Sequence, residues 1–475
     1  MAFLKNNRLT ACISALARPK WILLLLVLFN SYISFVELKV LSRKPELFRL
    51  FDAPEYISIA ENLTSGRGYV ISAGTFVSPK ETSYRTPGYP FLLVLMRWLY
   101  GEGNYIAATI LLQNLILAFF PLLFYGLTMG IFKSRDCALW AAALSVLFTP
   151  FRMLAELIQP EFLALFFLLS SVFFLLRYLE KRQAALLLLS SLSLASSIML
   201  KQNLVSLLLI ILFPLPLWLK KRELALGLLF PLLFISPWVY RNWRVHGEFP
   251  VFATNGGLNF YLANLADLPM DLQGIAKYQY RMTDLVRNGL SETEADRELY
   301  RQGFSHLQKN GLHWGLKRLI EKAGVIFRDH SRHVRNEIFY FFLPLAFLFK
   351  RKIAVVSLVA MQIVFSLARG GPFAFSPYDL YSFFSVDILP LNVIGLLAMI
   401  MLLLKKIRLF GLLATMFILL LAPMLIAIPL DRMTMMADSC LLIAFAAVPL
   451  AFPGFSGGKR WPLNPHSQIS GQPRE

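Results

Sequence analysis

The chain has 475 residues, of which 57% are hydrophobic and only 16% are charged. Water-soluble domains of this size need more polar surface than such a composition supplies, so the sequence predicts a membrane protein. Its formal net charge of +19 is explained by where the lysines and arginines lie along the chain, and no nucleic-acid partner is expected.

Apolar runs long enough to cross a hydrocarbon core of about 30 Å as helices recur along the chain. We predict an all-α polytopic membrane protein with a bundle of about 12 transmembrane helices. The predicted spans are 21–40, 104–132, 137–155, 161–178, 184–200, 203–219, 224–241, 337–349, 353–368, 386–404, 409–429 and 436–452.

The distribution of basic residues predicts the orientation of this bundle. With the amino terminus placed in the cytoplasm, the short inner loops are basic, for example "KSRD" at 133–136 and "KKRE" at 220–223. Outward short loops are poorer in lysine and arginine, as the positive-inside rule requires. Both termini are therefore expected in the cytoplasm, and the two long segments 42–103 and 242–336 are expected outside.

This topology predicts three regions. Residues 1–241 form an amino-terminal transmembrane core that includes the outer loop 42–103. Residues 242–336 form an outward-facing helical loop, and residues 337–475 form carboxy-terminal transmembrane helices with a short cytoplasmic tail. The first span follows several basic residues but has no small-residue cleavage site after it, so we interpret it as an uncleaved anchor.

The first outer loop begins with a polar, carboxylate-bearing stretch, "RLFDAPEYISIAENLTSGRGY", at residues 49–69. Asp52 and Glu55 have the spacing of a capping box, and Pro54 suits the first turn of a helix. The pattern predicts an amphipathic helix on the outer membrane surface. A capping role explains both carboxylates, and a functional role remains open beside it.

Further motifs follow in order along the chain. "YRTPGYP" at 84–90 predicts a rigid turn directly after Arg85. The other motifs are "QPEFLALFFLLSS" at 159–171, "SPWVYRNWRVHGEFPVFATNGGLNFYLAN" at 236–264 and "SETEADRELYRQGFSHLQKNGLHWGLKRLIEKAG" at 291–324.

Together with the aspartate outside the first span, this series resembles polyprenyl-phosphate-sugar-dependent glycosyltransferases of the GT-C fold, the superfamily of protein O-mannosyltransferases and lipid A aminoarabinose transferases. The resemblance covers roughly the first 325 residues. This chain has "LKQN" at 200–203, where the family often has an Arg-Pro pair. It also has "YDLYSFFSVDILP" at 378–390, where relatives often show an Arg-Tyr pair and then a proline.

The resemblance implies an inverting membrane glycosyltransferase that moves a sugar from a polyprenyl-phosphate donor to a glycan, lipid or protein acceptor on the outer face of a membrane. The inner (plasma) membrane of a bacterium is the expected location. Such a reaction needs one carboxylate to accept the hydroxyl proton and cations to stabilise the departing phosphate. Membrane lipids are the remaining expected partners.

The resemblance assigns Asp52 as the general base. It assigns substrate binding to Glu55, Arg85, Glu161, Lys201, Arg241, Asn255, Gly256 and Gly257. Each has a plainer explanation: a helix cap for the carboxylates, lipid headgroup contact for the cations, and a tight turn for the Asn-Gly-Gly segment.

A metal site has weak support in the sequence. His330 and His333 are spaced to share a helix face, but no third ligand is evident, and a basic interfacial collar explains them better. No cofactor is predicted with certainty, and assistance by a divalent cation remains open. The alternatives to a transferase are a polytopic transporter or lipid flippase and an inactive relative that acts as an assembly partner.

Overall fold

The computed structural model describes residues 19–41, 48, 50–78, 80–207, 219–248, 252–265, 278, 280–328, 400, 414–420, 439–440, 443–444 and 446–447. The predicted spans 203–219, 337–349, 353–368, 386–404, 409–429 and 436–452 lie wholly or mostly outside these residues. So do the segment 378–390 and the histidine pair at 330 and 333.

The described part of the chain is helical. Its α-helices are Pro19–Leu41 (α1), Ala53–Thr64 (α2), Gly88–Tyr100 (α3), Tyr105–Ala118 (α4), Phe120–Phe132 (α5), Arg135–Leu147 (α6), Thr149–Ala155 (α7), Glu161–Lys181 (α8), Ala184–Leu200 (α9), Lys221–His246 (α10), Gly256–Ala263 (α11), Arg281–Arg287 (α12) and Glu292–Arg328 (α13). A 3₁₀ helix, Gln202–Leu207, follows α9. Within these ranges the extended structure is one isolated bridge between Ile71 and Ser78.

Three of the described helices are long and apolar enough to cross a membrane, with candidate spans Pro19–Val36, Glu161–Lys181 and Lys221–His246. The pair α4 and α5 makes a fourth if it is counted as one bent span, and α9 is a shorter apolar helix. The predicted all-α polytopic membrane fold is thus confirmed. The total of about 12 spans remains a prediction.

Prolines break two of the predicted continuous spans. The predicted span 104–132 is bent by 41° between α4 and α5, where Pro121 lies in the first turn of α5. The predicted span 137–155 divides at Phe148, whose backbone is extended, and Pro150 lies in the first turn of α7. A proline lacks the backbone N–H that would continue a helix, but it is tolerated in a first turn.

A cluster of buried aromatic rings joins α5, α7 and α8. Phe120 stacks on Phe162 with ring centroids 5.2 Å apart, and Phe151 contacts both Phe120 and Phe124. Aromatic pairs of this kind stabilise a core beyond the area that they bury. Because Phe162 directly follows Glu161, the cluster fixes the position of the amino-terminal end of α8.

Helix α13 consists of two helical parts joined by a kink at Gly311. Gly311 has φ 76° and ψ 176° inside the helix, a conformation that an L side chain would strain. The first part packs along α11.

Candidate active site

Asp52 and Arg85 form an ion pair in the first outer loop. The Arg85 Nη2 atom lies 3.0 Å from the Asp52 Oδ1 atom, and the two side chains are 11% and 16% exposed. Asp52 directly precedes α2, whereas Arg85 lies just before α3. The pair therefore joins two positions of the first outer loop that are 33 residues apart along the chain, and it leaves the Asp52 carboxylate partly accessible.

The predicted capping box is absent, so this part of the sequence interpretation is wrong. Asp52 occupies the position before α2, but its side chain makes no capping hydrogen bond. Glu55 turns away from the start of the helix as well. A capping box requires both side chains to bind backbone N–H groups at that end. The plainest alternative to a functional Asp52 is thereby removed.

Glu55 is buried and binds the loop that follows α2. Its Oε1 atom accepts hydrogen bonds from the Thr75 hydroxyl at 2.6 Å and from the Thr75 and Phe76 N–H groups at 3.0 and 3.1 Å. Its Oε2 atom lies 2.5 Å from the Arg85 Nε atom. A buried carboxylate is stable only with such partners. Substrate binding by Glu55 stays a prediction, and the contacts seen are structural.

Two backbone features shape this carboxylate pair. Phe51 adopts a left-handed conformation with φ 59°, which is uncommon for a bulky residue and turns the chain immediately before Asp52. Gly74 has φ 118°, and a Cβ atom there would lie 2.2 Å from the Glu55 Cγ atom. The loop can approach Glu55 this closely only because residue 74 is glycine.

Aromatic rings cover the Arg85 guanidinium. The Tyr56 and Tyr84 rings lie 5.4 and 5.1 Å from it, within the range of cation–π attraction. Burial alone would lower the pKa of Arg85, but the charges of Asp52 and Glu55 outweigh it and raise the pKa above its usual value. Arg85 is thus a permanent cation that orients two carboxylates. Phosphate binding by Arg85 stays a prediction.

Glu161 and Lys201 form a second, more deeply buried ion pair. The Lys201 Nζ atom lies 2.7 Å from the Glu161 Oε1 atom, and the side chains are 9% and 0% exposed. Glu161 begins α8, and Lys201 directly follows α9. The sequence predicted both residues at the outer end of their spans, and the structure brings them into contact.

Hydrogen bonds between neighbouring residues draw the two ion pairs together. The Gln159 side chain donates to the Leu50 carbonyl at 3.1 Å. Gln159 lies two residues before Glu161, and Leu50 lies two residues before Asp52. The Thr86 hydroxyl donates to the Leu200 carbonyl at 2.9 Å. Thr86 directly follows Arg85, and Leu200 directly precedes Lys201. A Cβ atom on Gly88 would lie 2.8 Å from the Met199 carbonyl oxygen. These contacts place the starts of α2, α3 and α8 and the end of α9 around one site.

Arg241 holds the polypeptide just before Arg85. Its Nη1 atom donates to the Thr82 carbonyl at 2.6 Å and to the Ser83 hydroxyl at 3.2 Å, and its Nη2 atom lies 3.4 Å from a Glu81 carboxylate oxygen. The contacts seen are therefore with the first outer loop. Substrate binding by Arg241 stays a prediction.

The Asn255–Gly257 turn contacts the site through its first residue, Asn255. Asn255 accepts a hydrogen bond from Gln202, the residue after Lys201. The Gly257 N–H donates to the Asp296 carboxylate at 2.6 Å, and a Cβ atom on Gly256 would collide with the Tyr300 hydroxyl. The contacts seen are structural, since both glycines allow α11 to approach α13. Ligand binding by Asn255, Gly256 and Gly257 stays a prediction.

Sequence reasoning missed Tyr84 and Glu292. Tyr84 covers Arg85, and burial, followed by the charge of Glu55, raises its pKa. Glu292 accepts hydrogen bonds from the Ser83 N–H at 2.9 Å and from the Thr254 hydroxyl. Both lie inside motifs singled out from the sequence. No local pattern indicates a contact between residues more than 200 positions apart.

Among the described residues, no group of three histidine, cysteine, aspartate or glutamate side chains is placed to hold a metal ion. The arrangement offers two carboxylate–cation pairs for chemistry, Asp52 with Arg85 and Glu161 with Lys201.

Residues 84–241 match the sequence model of the family described as dolichyl-phosphate-mannose-protein mannosyltransferase. The matched region contains Arg85, Glu161, Lys201 and Arg241 and covers about a third of the chain. No curated protein sequence matches the chain.

Among the solved structures that are similar to the chain are the following three. The Archaeoglobus fulgidus oligosaccharyltransferase tethered with an acceptor peptide shares 14% identity with a TM-score of 0.48, over 91% of this chain and 50% of that one. ArnT from Cupriavidus metallidurans in the apo state shares 15% identity with a TM-score of 0.31, over 83% and 72%. The same protein bound to undecaprenyl phosphate shares 16% with a TM-score of 0.35, over 92% and 78%.

The chain thus spans half the length of the oligosaccharyltransferase that it matches. The predicted resemblance to this class of glycosyltransferases is confirmed over residues 84–241, which match the dolichyl-phosphate-mannose-protein mannosyltransferase family.

Proposed function

We propose that the chain is an inverting glycosyltransferase that moves a sugar from a polyprenyl phosphate to an acceptor hydroxyl on the outer face of the membrane. The observation that carries this proposal is the Asp52 carboxylate, which is released from any capping role and held 3.0 Å from Arg85. The family description supports the class of donor, because it names a sugar on a polyprenyl phosphate, dolichyl phosphate.

In the proposed reaction, Asp52 accepts the proton of the acceptor hydroxyl as its oxygen bonds to the anomeric carbon. The bond between that carbon and the donor phosphate oxygen breaks, and the bonding electrons leave with the polyprenyl phosphate. One positioned general base typically accelerates such a step by about 100-fold or more. A phosphate is a good leaving group, so no second carboxylate is needed to protonate it, unlike in most glycoside hydrolases.

Arg85 supports this chemistry by orienting the base. Glu55 fixes one edge of the guanidinium, and Asp52 pairs with another. A guanidinium carries five N–H donors in a rigid plane, so two ion pairs do not exhaust its capacity to bind phosphate. Lys201 and Arg241 are the further proposed cations for the donor phosphate, and the acceptor is a glycan, a lipid or a protein.

The test is to incubate the purified full-length chain in lipid vesicles with a panel of radiolabelled polyprenyl-phosphate sugars. We expect one donor to be consumed, with free polyprenyl phosphate as a product. Asp52→Asn is expected to lower the rate about 100-fold or more while the melting temperature changes little.

The matched control is Glu102→Gln, because Glu102 is a carboxylate whose side chain is 79% exposed and paired with Arg97 away from the site. It is expected to keep parental activity. Failure of the folded parent to consume any donor, or retention of more than about a tenth of the activity by Asp52→Asn, would contradict the proposal.

A further inference from the structure

The second part of α13, after Gly311, has an unusual distribution of side chains. Its large apolar residues are on the outside: Leu312 is 81% exposed, Leu316 51%, Leu319 41% and Ile320 71%. At 100° per residue these four positions fall within one stripe about 100° wide. In a water-soluble protein such a stripe would face the core.

The opposite side of the same helix buries charge. Arg318 and Lys322 are only 6% and 3% exposed. Arg318 donates to the Ala263 and Leu265 carbonyls at 3.3 and 3.2 Å, and Lys322 lies 3.4 Å from the Asn264 side-chain oxygen. Arg318 and Lys322 therefore face the protein while the four apolar side chains face outward, and the exposed charges Lys317 and Glu321 lie on the remaining side of the helix. This inverted pattern is the one expected of a helix whose surroundings are more apolar than its protein contacts.

The first part of the same helix has the ordinary pattern. Its exposed residues are mostly polar, including Glu294, Arg297 and Arg301. The change occurs at Gly311, where the helix axis breaks. The outer surface of the second part is thus much richer in large apolar side chains than that of the first part, which indicates that the surroundings of the two parts differ in polarity.

Two observations identify these surroundings as a lipid bilayer. The candidate spanning helix α10 also has outward leucines, with Leu232 and Leu233 54% and 57% exposed. In addition, the helix ends at Arg328, within nine residues of the predicted span 337–349, and the sequence between them, "RDHSRHVRN", is basic. Basic residues beside a span favour anionic headgroups. The sequence thus predicts that the chain enters the membrane soon after this helix.

We propose that residues 312–322 dock on the bilayer surface, with Leu312, Leu316, Leu319 and Ile320 inserted among the acyl chains. Gly311 lets the helix turn from the aqueous loop onto the membrane. The buried Arg318 and Lys322 attach it from the other side to the carboxy-terminal end of α11, the helix that begins directly after Asn255. The docked helix would hold the second outer loop at the level of the lipid headgroups.

Site-directed spin labelling of the full-length chain tests this. In a background with Cys12, Cys137 and Cys440 replaced by alanine, Leu316→Cys and Ile320→Cys are labelled separately with a nitroxide. Each protein is reconstituted in vesicles of phosphatidylethanolamine and phosphatidylglycerol. Collision rates are then measured with molecular oxygen, which concentrates among acyl chains, and with a water-soluble nickel chelate.

We expect the ratio of oxygen to nickel collisions to be several-fold higher at both positions than at Arg301→Cys. Arg301 is the matched control because its side chain is 72% exposed on the first part of the same helix. Faster collisions with nickel than with oxygen at positions 316 and 320 would place the stripe in water and overturn the proposal. Slow collisions with both reagents would show that protein covers the stripe, and would overturn it equally.

Discussion

Asp52 and Glu55 lie three residues apart at the start of one short helix, yet their surroundings differ. The Asp52 side chain keeps 16% of its surface exposed, whereas Glu55 keeps 1%. Glu55 is surrounded by donors from Thr75, Phe76 and Arg85. The two carboxylates therefore differ in what they can do: Glu55 holds the loop and the cation, whereas Asp52, the more accessible of the two, is the one proposed to react.

This division predicts different effects of the two amide substitutions on stability. Glu55→Gln replaces a buried charge that is paired with Arg85, and losing one partner of a buried ion pair typically costs about 3–5 kcal/mol. Asp52→Asn affects a more exposed ion pair, so we expect a smaller decrease in the free energy of unfolding. Thermal unfolding in detergent measures both. Equal decreases in melting temperature for the two variants would contradict the assignment.

At the scale of secondary-structure elements, the Glu161–Lys201 pair joins the start of α8 to the end of α9. Lys201→Met would remove the cation that lies 2.7 Å from a fully buried carboxylate oxygen. We expect a decrease in the free energy of unfolding of about 3–5 kcal/mol. Combining Lys201→Met with Glu161→Gln should restore part of that decrease, because the buried charge is then removed as well.

The comparison between the single and the double variant is the informative measurement. If the double variant is less stable than Lys201→Met alone, the pair is not held by charge. Transfer activity of the same two proteins separates a structural role from a role in the site, since restored stability with lost activity indicates that the charges themselves are needed.

The contact between α11 and α13 should depend on pH. Asp296 accepts from the Gly257 N–H, and burial raises its pKa from 3.8 to about 6. Between these two pH values, Asp296 is therefore protonated in the folded protein but ionised in the unfolded chain. The stabilising contribution of Asp296 is complete below about pH 4 and is lost as the pH rises through about 6.

Asp296→Asn removes this titration. We expect the melting temperature of the parent, relative to that of the variant, to fall as the pH rises from about 4 to about 6. Asp284→Asn, at an exposed position on the neighbouring helix α12, is the matched control. A difference between parent and Asp296→Asn that does not change over this range would refute the assigned pKa.

At the scale of the whole molecule, contacts between the two long loops constrain the topology. The Thr283 hydroxyl donates to the Thr75 carbonyl at 3.0 Å, and the Ser83 N–H donates to Glu292. Two segments in direct contact lie on the same side of a membrane. If the segment 42–103 lies outside the cytoplasm, as predicted, then the segment 242–336 must lie outside as well.

Topology reporters test this directly. A reporter inserted near residue 70 and one inserted near residue 290 should both register outside the cytoplasm, while one in the basic loop at 177–183 should register inside. Two cytoplasmic signals would invert the predicted orientation. Opposite signals from positions 70 and 290 would contradict the contacts between the loops.

The sequence indicated where along the chain the candidate residues lie, but not which residues they contact. The sequence placed Asp52, Arg85, Glu161 and Lys201 at the outer ends of their elements, because motif order and span ends are local properties. It did not indicate that Asp52 would pair with Arg85 or that Glu55 would bind Thr75. Those contacts depend on how the loop folds back on α2, with Gly74 allowing the close approach.

The sequence by itself determined that this is an α-helical membrane protein, because the length of an apolar run relative to a bilayer can be counted along the chain. It also determined the family resemblance, which residues 84–241 confirm. Only the tertiary structure decided that the Asp52 carboxylate is not a helix cap, that Gly256 and Gly257 serve packing, and that α13 has an inverted second part. Each of these findings depends on which residues far apart in the sequence come into contact, since a hydrogen bond forms only at about 3 Å. The sequence does not show those contacts.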